Sequence, residues 1–160
     1  GYPELFAKEL ANNHMLMQEI HDKIRHGLPT VAECGGFLYL HRHLGDADGR
    51  YDWNMVGAFS GQAHNTGKLG RYRYSARTAK NGGLVSRAGE ACPAHEFHYW
   101  DSSTPGGDFS ARKPQSDRGW ECAFHTSTLY AGFPHFHFWA RPELARNFVA
   151  AARRYGEASL

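Results

Sequence analysis

The five residues Ala32-Glu33-Cys34-Gly35-Gly36 constrain this chain more than any other segment. They follow an apolar run, Pro29-Thr30-Val31-Ala32, and precede Phe37-Leu38-Tyr39-Leu40, which has helical character. A strand that turns sharply through small residues into a helix holds one side chain out at the top of a sheet. Gly35 and Gly36 lack a Cβ, so the backbone there can fold tightly and approach a substrate. The start of the following helix directs partial positive charge at the same spot, which favours a thiolate. The segment therefore reads as a nucleophile elbow with cysteine in place of serine. A cysteine merely packed at a strand end is the competing explanation, and it does not account for the two glycines.

With 160 residues the chain suits one domain with a real core. Hydrophobic residues make up 41% and charged residues 21%, which excludes a disordered chain. The net charge is only +2, and its one basic stripe is Arg71, Arg73 and Arg77. A solvated strand face explains that stripe, so no nucleic-acid partner is expected. No apolar run approaches the ~20 residues of a membrane helix, and no signal peptide opens the chain. Three widely spaced cysteines suit reduced thiols, and a cytoplasmic location is expected.

Helical spacing of Leu5, Phe6, Leu10, Met17, Ile20 and Ile24 predicts one long amphipathic helix from Pro3, closed by Gly27. Pro29 to Glu33 is a short buried strand, Gly35 to His43 a helix, and Met55 to Phe59 another strand. The middle of the chain changes character. Leu69–Thr78, Cys92–Trp100, Phe109–Lys113 and Trp120–His125 are strand-like runs between Gly, Pro, Asn, Asp and Ser clusters. They predict mixed or antiparallel sheet with long surface loops. Tyr130 to Trp139 is a last aromatic strand or turn, and Arg141-Pro142-Glu143 opens a final helix. An α/β domain usually begins with a strand, so a chain that enters a helix at Pro3 is expected to be truncated at its N-terminus.

Eleven histidines make their grouping informative. His135-Phe136-His137 puts two imidazoles on one face of an extended segment. It lies about one hundred residues after Cys34, so only the fold can bring thiol and imidazole together. A cysteine nucleophile needs such a base or imidazolium. In His95-Glu96-Phe97-His98-Tyr99, Glu96 and His98 share one strand face and His95 and Phe97 the other. One face can then present a carboxylate and an imidazole to substrate while the other packs. The spacing does not make an HExxH helix and there is no paired-cysteine pattern, so no metal site is expected. Cys92 and Cys122 have no elbow and are expected to be packing residues.

Together these pieces resemble the C-terminal glutamine amidotransferase domain of the cobyrinic acid a,c-diamide synthase family. The resemblance rests on Gly1-Tyr2-Pro3-Glu4, Ala32 to Leu40, Met55-Val56-Gly57, His95 to Tyr99 and Phe133-Pro134-His135-Phe136-His137-Phe138, in that order. It implies an α/β, flavodoxin-like class I amidotransferase fold over residues 1–160, with a mixed sheet insertion in the middle. It also implies that Cys34 attacks the side-chain amide of glutamine while His135 activates the thiol and protonates the departing ammonia. The Gly35 N–H and the Gly1-Tyr2 loop would supply oxyanion donors. Many such enzymes carry a glutamate two residues after the histidine, where His137 stands here. The third member of the triad is thus unassigned, with Glu96 the candidate for an orienting or substrate-contacting role alongside His137. The resemblance further implies a synthetase domain that binds ATP and magnesium and holds a corrinoid acceptor. No GxxxxGK phosphate loop occurs in the chain, so that domain is expected to be absent and this domain to need no cofactor of its own. Rival expectations are the same domain serving cobyric acid or a cell-wall precursor, or a non-catalytic metal-binding relative.

Overall fold

The computed structural model describes residues 1–70, 72–113 and 117–158, without the side chains of 72 and 73. A 3-10 turn at Pro3–Phe6 leads into helices α1 (Ala7–Asn12) and α2 (His14–Arg25). The single helix expected here is broken at Asn13, whose φ of −89° and ψ of 63° leave the helical region. Its side chain accepts from the Leu16 N–H at 3.3 Å, so the break supplies the cap of α2.

Strand β1 (Thr30–Glu33) then runs into the elbow and helix α3 (Gly35–Tyr39). The helix stops four residues short of the expected His43, because His41 already begins β2 (His41–Gly45). His41 is fully buried, with its Nδ1 bonded to the Phe37 carbonyl and its Nε2 to Ser102 Oγ. After β3 (Asp52–Asn54), Met55 to Ala58 link to β4 (Phe59–Asn65), so the strand predicted at Met55 is a connection. Met55 and Val56 are apolar because they are buried against α3, not because they alternate in a sheet.

The antiparallel middle of the chain forms as expected. It comprises β5 (Tyr72–Ala79), β6 (Ala91–Phe97), β7 (Trp100–Ser102), β8 (Phe109–Arg112) and β9 (Gly119–Cys122). Then come β10 (Phe124–His125), β11 (Leu129–Gly132), β12 (His135–Phe136) and helix α4 (Pro142–Ala158). The strands form three sheets. One is β1-β11-β10, with β1 and β11 parallel from Thr30↔Leu129 to Glu33↔Gly132. The second, β3-β2-β4-β7, contains the parallel pair β2 and β4. The third is antiparallel throughout, in the order β12-β6-β5-β8-β9.

Two apolar clusters hold the sheets. Phe37, Leu44 and Phe133 centre the first, with the Phe37 and Phe133 rings edge to face at 5.2 Å. Val85, Phe109, Tyr130, Phe136 and Leu144 centre the second, beneath α4. Each fully buried large side chain contributes roughly 2–3 kcal/mol. Phe133 and Phe136 belong to different clusters, so Pro134 and His135 are anchored on both sides. No helix among the described residues is long and apolar enough to cross a membrane.

Candidate active site

Parallel strands present their C-terminal ends at the same edge, and chemistry in α/β sheets collects there. β1 ends at Glu33, one residue before Cys34, and β11 ends at Gly132; the Cys34 N–H donates to the Gly132 carbonyl at 2.8 Å. Three residues further on stands His135. The parallel register therefore brings a thiol and an imidazole from distant parts of the chain to one edge.

Cys34 sits at φ 48° and ψ −104°, a conformation that L residues avoid. Such a residue costs on the order of 1–3 kcal/mol and persists only where its surroundings impose it. Here they do: the strand hydrogen bond holds its N–H, and the Leu38 N–H donates to its carbonyl at 2.9 Å. Any side chain at Gly35 would crowd the neighbouring turn. A Cβ there would lie 3.0 Å from Pro3 Cδ and 3.4 Å from the Tyr2 nitrogen. The Gly1-Tyr2-Pro3 segment thus lies directly against the elbow, with Tyr2 also left-handed at φ 58°. Gly1, Tyr2, Gly35, Cys34 and His135 all line one cavity of about 560 Å3.

The carboxylate partner of His135 is Glu33, a residue that strand alternation does not point to. Its Oε2 stands 3.4 Å from His135 Nδ1, and its Oε1 accepts from the Phe136 N–H at 2.9 Å. On a regular strand Glu33 and Cys34 would face opposite ways. The twisted backbone at Cys34 cancels that alternation, so both side chains reach the same imidazole. The hydrogen bond to Cys34, and after it the one to Glu33, outweighs burial and raises the His135 pKa to about 10. A base or imidazolium within reach of the sulfur is what a cysteine nucleophile requires.

Glu96 is not placed for the orienting role. It is buried on the opposite face of β6, 3.1 Å from Arg77 Nη2, and does not line the cavity. Arg77 lies on the same sheet face, donates to Ser75 Oγ and stacks over Trp120 at 4.9 Å. The two faces of β6 are therefore used in the reverse of the expected sense: His95 and Phe97 face the cavity, and Glu96 packs. His98 follows the end of β6, lies flat on Phe133 at 3.9 Å, and also lines the cavity. His137 is exposed, outside the cavity lining, with its N–H 3.4 Å from the Pro93 carbonyl. Of the basic stripe, Arg77 is wholly buried and Arg71 lies outside the described residues.

Cys92 and Cys122 are buried, and burial pushes the Cys92 thiol up to about 11. Among the described residues no group of three or more His, Cys, Asp or Glu side chains is arranged to hold a metal ion. Gly67-Lys68, the nearest approach to a phosphate loop, follows β4 and leads towards another strand, whereas such a loop opens a helix.

An α/β domain that sets a cysteine, an imidazole and a carboxylate at the ends of parallel strands is equipped for nucleophilic attack on an acyl carbon. The chain belongs to the CobB/CobQ-like glutamine amidotransferase domain family, whose model matches residues 1–143. It is 30% identical over 158 residues to the cobyrinate a,c-diamide synthase of Caldanaerobacter subterraneus subsp. tengcongensis, covering 98% of this chain and 35% of that protein. The synthase of the same name from Salmonella typhimurium is 34% identical over 159 residues, 96% of this chain and 34% of the relative. That of Fusobacterium nucleatum is 36% identical over 143 residues, 86% of this chain and 30% of the relative. The chain thus spans about a third of the length of these relatives.

Proposed function

We propose that this chain is a glutaminase that supplies ammonia for ATP-dependent amidation of the a and c carboxylates of cobyrinic acid or its cobalt-free counterpart. The observation that carries the reading is the meeting of Cys34, His135 and Glu33 at one cavity, in a chain of an amidotransferase family. The choice of acceptor rests on the names of the relatives. ATP, magnesium and corrinoid chemistry belongs to the portion of such synthases outside the match.

In the proposed reaction the Cys34 thiolate adds to the amide carbon of glutamine. The oxyanion takes hydrogen bonds from the Gly35 N–H and from the Gly1-Tyr2 segment; losing one such donor costs on the order of 3 kcal/mol. His135 gives its proton to the departing nitrogen, so ammonia leaves and a γ-glutamyl thioester remains. Neutral His135 then takes a proton from water, whose oxygen displaces the sulfur. Glutamate and the thiolate–imidazolium pair are restored. Glu33 keeps Nδ1 oriented throughout and stabilises the charged ring.

Cys34→Ala should abolish glutamine-dependent amidation by the intact protein, a loss of at least ~10⁴-fold, as for removal of a nucleophile elsewhere. Amidation with free ammonia should survive, and a diazo-ketone analogue of glutamine should label wild type at Cys34 alone. Continued use of glutamine by the alanine variant would show that the nucleophile lies elsewhere.

A further inference from the structure

Away from the elbow, a smaller cavity of about 200 Å3 opens between α4 and the segment that joins β5 to β6. It shares no lining residue with the cavity beside Cys34. Its polar lining is Ser86 and Arg87 from that segment, Ser127 from the β10–β11 turn, and Asn147 and Arg154 from α4. Two arginines thus border one small space, and none of its described lining residues is an aspartate or glutamate. Among the described residues neither Arg87 nor Arg154 makes an ion pair. Ser86 is only 3% exposed, and its Oγ is buried with no hydrogen-bond partner among the described residues. A buried hydroxyl without a partner is costly, and native structures rarely keep one without a use.

The segment that carries Ser86 and Arg87 is held on several sides. The Leu84 N–H donates to the Thr126 carbonyl at 2.7 Å, and the Gly83 N–H to the Ser86 carbonyl at 2.9 Å. Asn147 donates one amide proton to the Val85 carbonyl at 2.9 Å, which ties the segment to α4 and leaves its second amide proton available. A Cβ on Gly83 would lie 2.6 Å from both His125 Nε2 and the Thr126 carbonyl oxygen, so the segment is pressed onto the β10–β11 turn. The carboxylate of Glu90 is engaged outside the lining: it accepts from the Arg87 N–H at 2.8 Å and stands 3.8 Å from Arg141 Nη2. The positive charge of the cavity is therefore not neutralised from within.

Charge, donors and size together select a ligand. Guanidinium forks match the oxygens of phosphate two at a time, and hydroxyl and amide groups add single donors. The volume falls below the roughly 300 Å3 at which pockets for drug-sized molecules begin, which suits an ion rather than a nucleotide. We propose that this cavity binds a free tetrahedral oxyanion of the phosphate class, clamped by Arg87 and Arg154 and seated on the Ser86 hydroxyl. Asn147 and Arg154 lie beyond residue 143, where the family match ends, so the site draws on α4 rather than on the amidotransferase machinery.

Calorimetric titration of the intact protein with inorganic phosphate, at an ionic strength held constant with chloride, tests the site. Wild type should bind phosphate saturably and melt at a higher temperature in its presence. Arg87→Gln and Arg154→Gln should each weaken binding by at least about tenfold, the loss expected for one charge-assisted contact. Both arginines are exposed, so the ligand-free melting temperatures of these variants should stay near that of wild type. Ser86→Ala should weaken binding by about threefold without lowering the ligand-free melting temperature, because the hydroxyl it removes has no partner there. Arg153→Gln, on the same helix but outside the lining, should bind phosphate as wild type does. AMP, whose phosphate carries a nucleoside, should bind at least about tenfold more weakly than free phosphate. No saturable binding to wild type, or equal losses in the Arg153 and Arg154 variants, would overturn the site. AMP bound as tightly as phosphate would overturn the free ion as its ligand.

Discussion

Two carboxylate–cation pairs of similar length lie on either side of β6, and they do opposite things. Glu33 and His135 stand 3.4 Å apart with side-chain exposures of 20% and 45%, at the rim of a cavity. Glu96 and Arg77 stand 3.1 Å apart with exposures of 1% and 0%, inside the five-stranded sheet. Distance does not separate a working pair from a structural one. Access does, together with a partner whose proton can move: an imidazole titrates in the range where a guanidinium stays charged.

The largest effect expected from breaking either pair is on stability, at the sealed one. Glu96→Leu leaves the Arg77 guanidinium buried without its counter-charge, which typically costs about 3–5 kcal/mol. Chemical denaturation should show that loss, while kcat per folded molecule changes little. The double variant Arg77→Met with Glu96→Leu should recover most of it, because replacing a whole buried pair by apolar groups is often neutral. A single variant as stable as wild type would mean that the pair is not sealed from water.

At the rim pair the consequence moves from stability to rate. Glu33→Gln should lower kcat/KM for glutamine by roughly 10²-fold, less than the ~10⁴-fold seen when a fully buried triad carboxylate is neutralised. Its denaturation midpoint should stay near that of wild type, since partly exposed pairs contribute little. Equal losses of stability in the Glu33 and Glu96 variants would erase the contrast between the two sites.

Part of this arrangement was legible in the chain itself. The elbow is legible because two glycines beside a cysteine mark a tight turn that other backbone can approach, and the parallel register then makes the pairing with His135 possible. Glu33 escaped notice because strand alternation puts it on the far face, and only the positive φ at Cys34 defeats that rule. One signal pointed to it: a carboxylate closing an otherwise apolar strand. Arg77 looked like a solvated stripe and Glu96 like a site residue, since sequence does not tell the two faces of a strand apart when both carry polar groups. The strands β2 and β4 were hidden for a similar reason. His41-Arg42-His43 carries no apolar run, although His41 is buried by two hydrogen bonds.

A subtler contrast is in pH. His135 holds its proton more tightly in the folded protein than its ordinary value of 6.5 allows, up to about 10. Its contribution to stability is therefore fully present below about pH 6.5 and is lost as pH rises through about 10. Glutaminase activity should follow the same upper limit, because the ring must carry the proton that ammonia takes away. In Glu33→Gln the alkaline limb of kcat should move to lower pH, since one of the two hydrogen bonds that raise the ring's affinity for protons is weakened. The Glu96 variant should keep the wild-type limb.

The smallest effect is expected at His137, the position where many relatives of this class carry their orienting glutamate. β12 ends at Phe136, so His137 no longer follows the strand face that directs His135 to the cavity. In the proposed reaction that role falls to Glu33, whose carboxylate lies 3.4 Å from the imidazole and comes from the strand before the elbow. His137→Asn should therefore change kcat/KM by less than about twofold, and combining it with Glu33→Gln should cost no more than the two single changes added together, as for sites that share no partner. A substantial extra loss in the double variant would mean that His137 supports the ring when Glu33 cannot, and the triad would have to be redrawn with a shared third position.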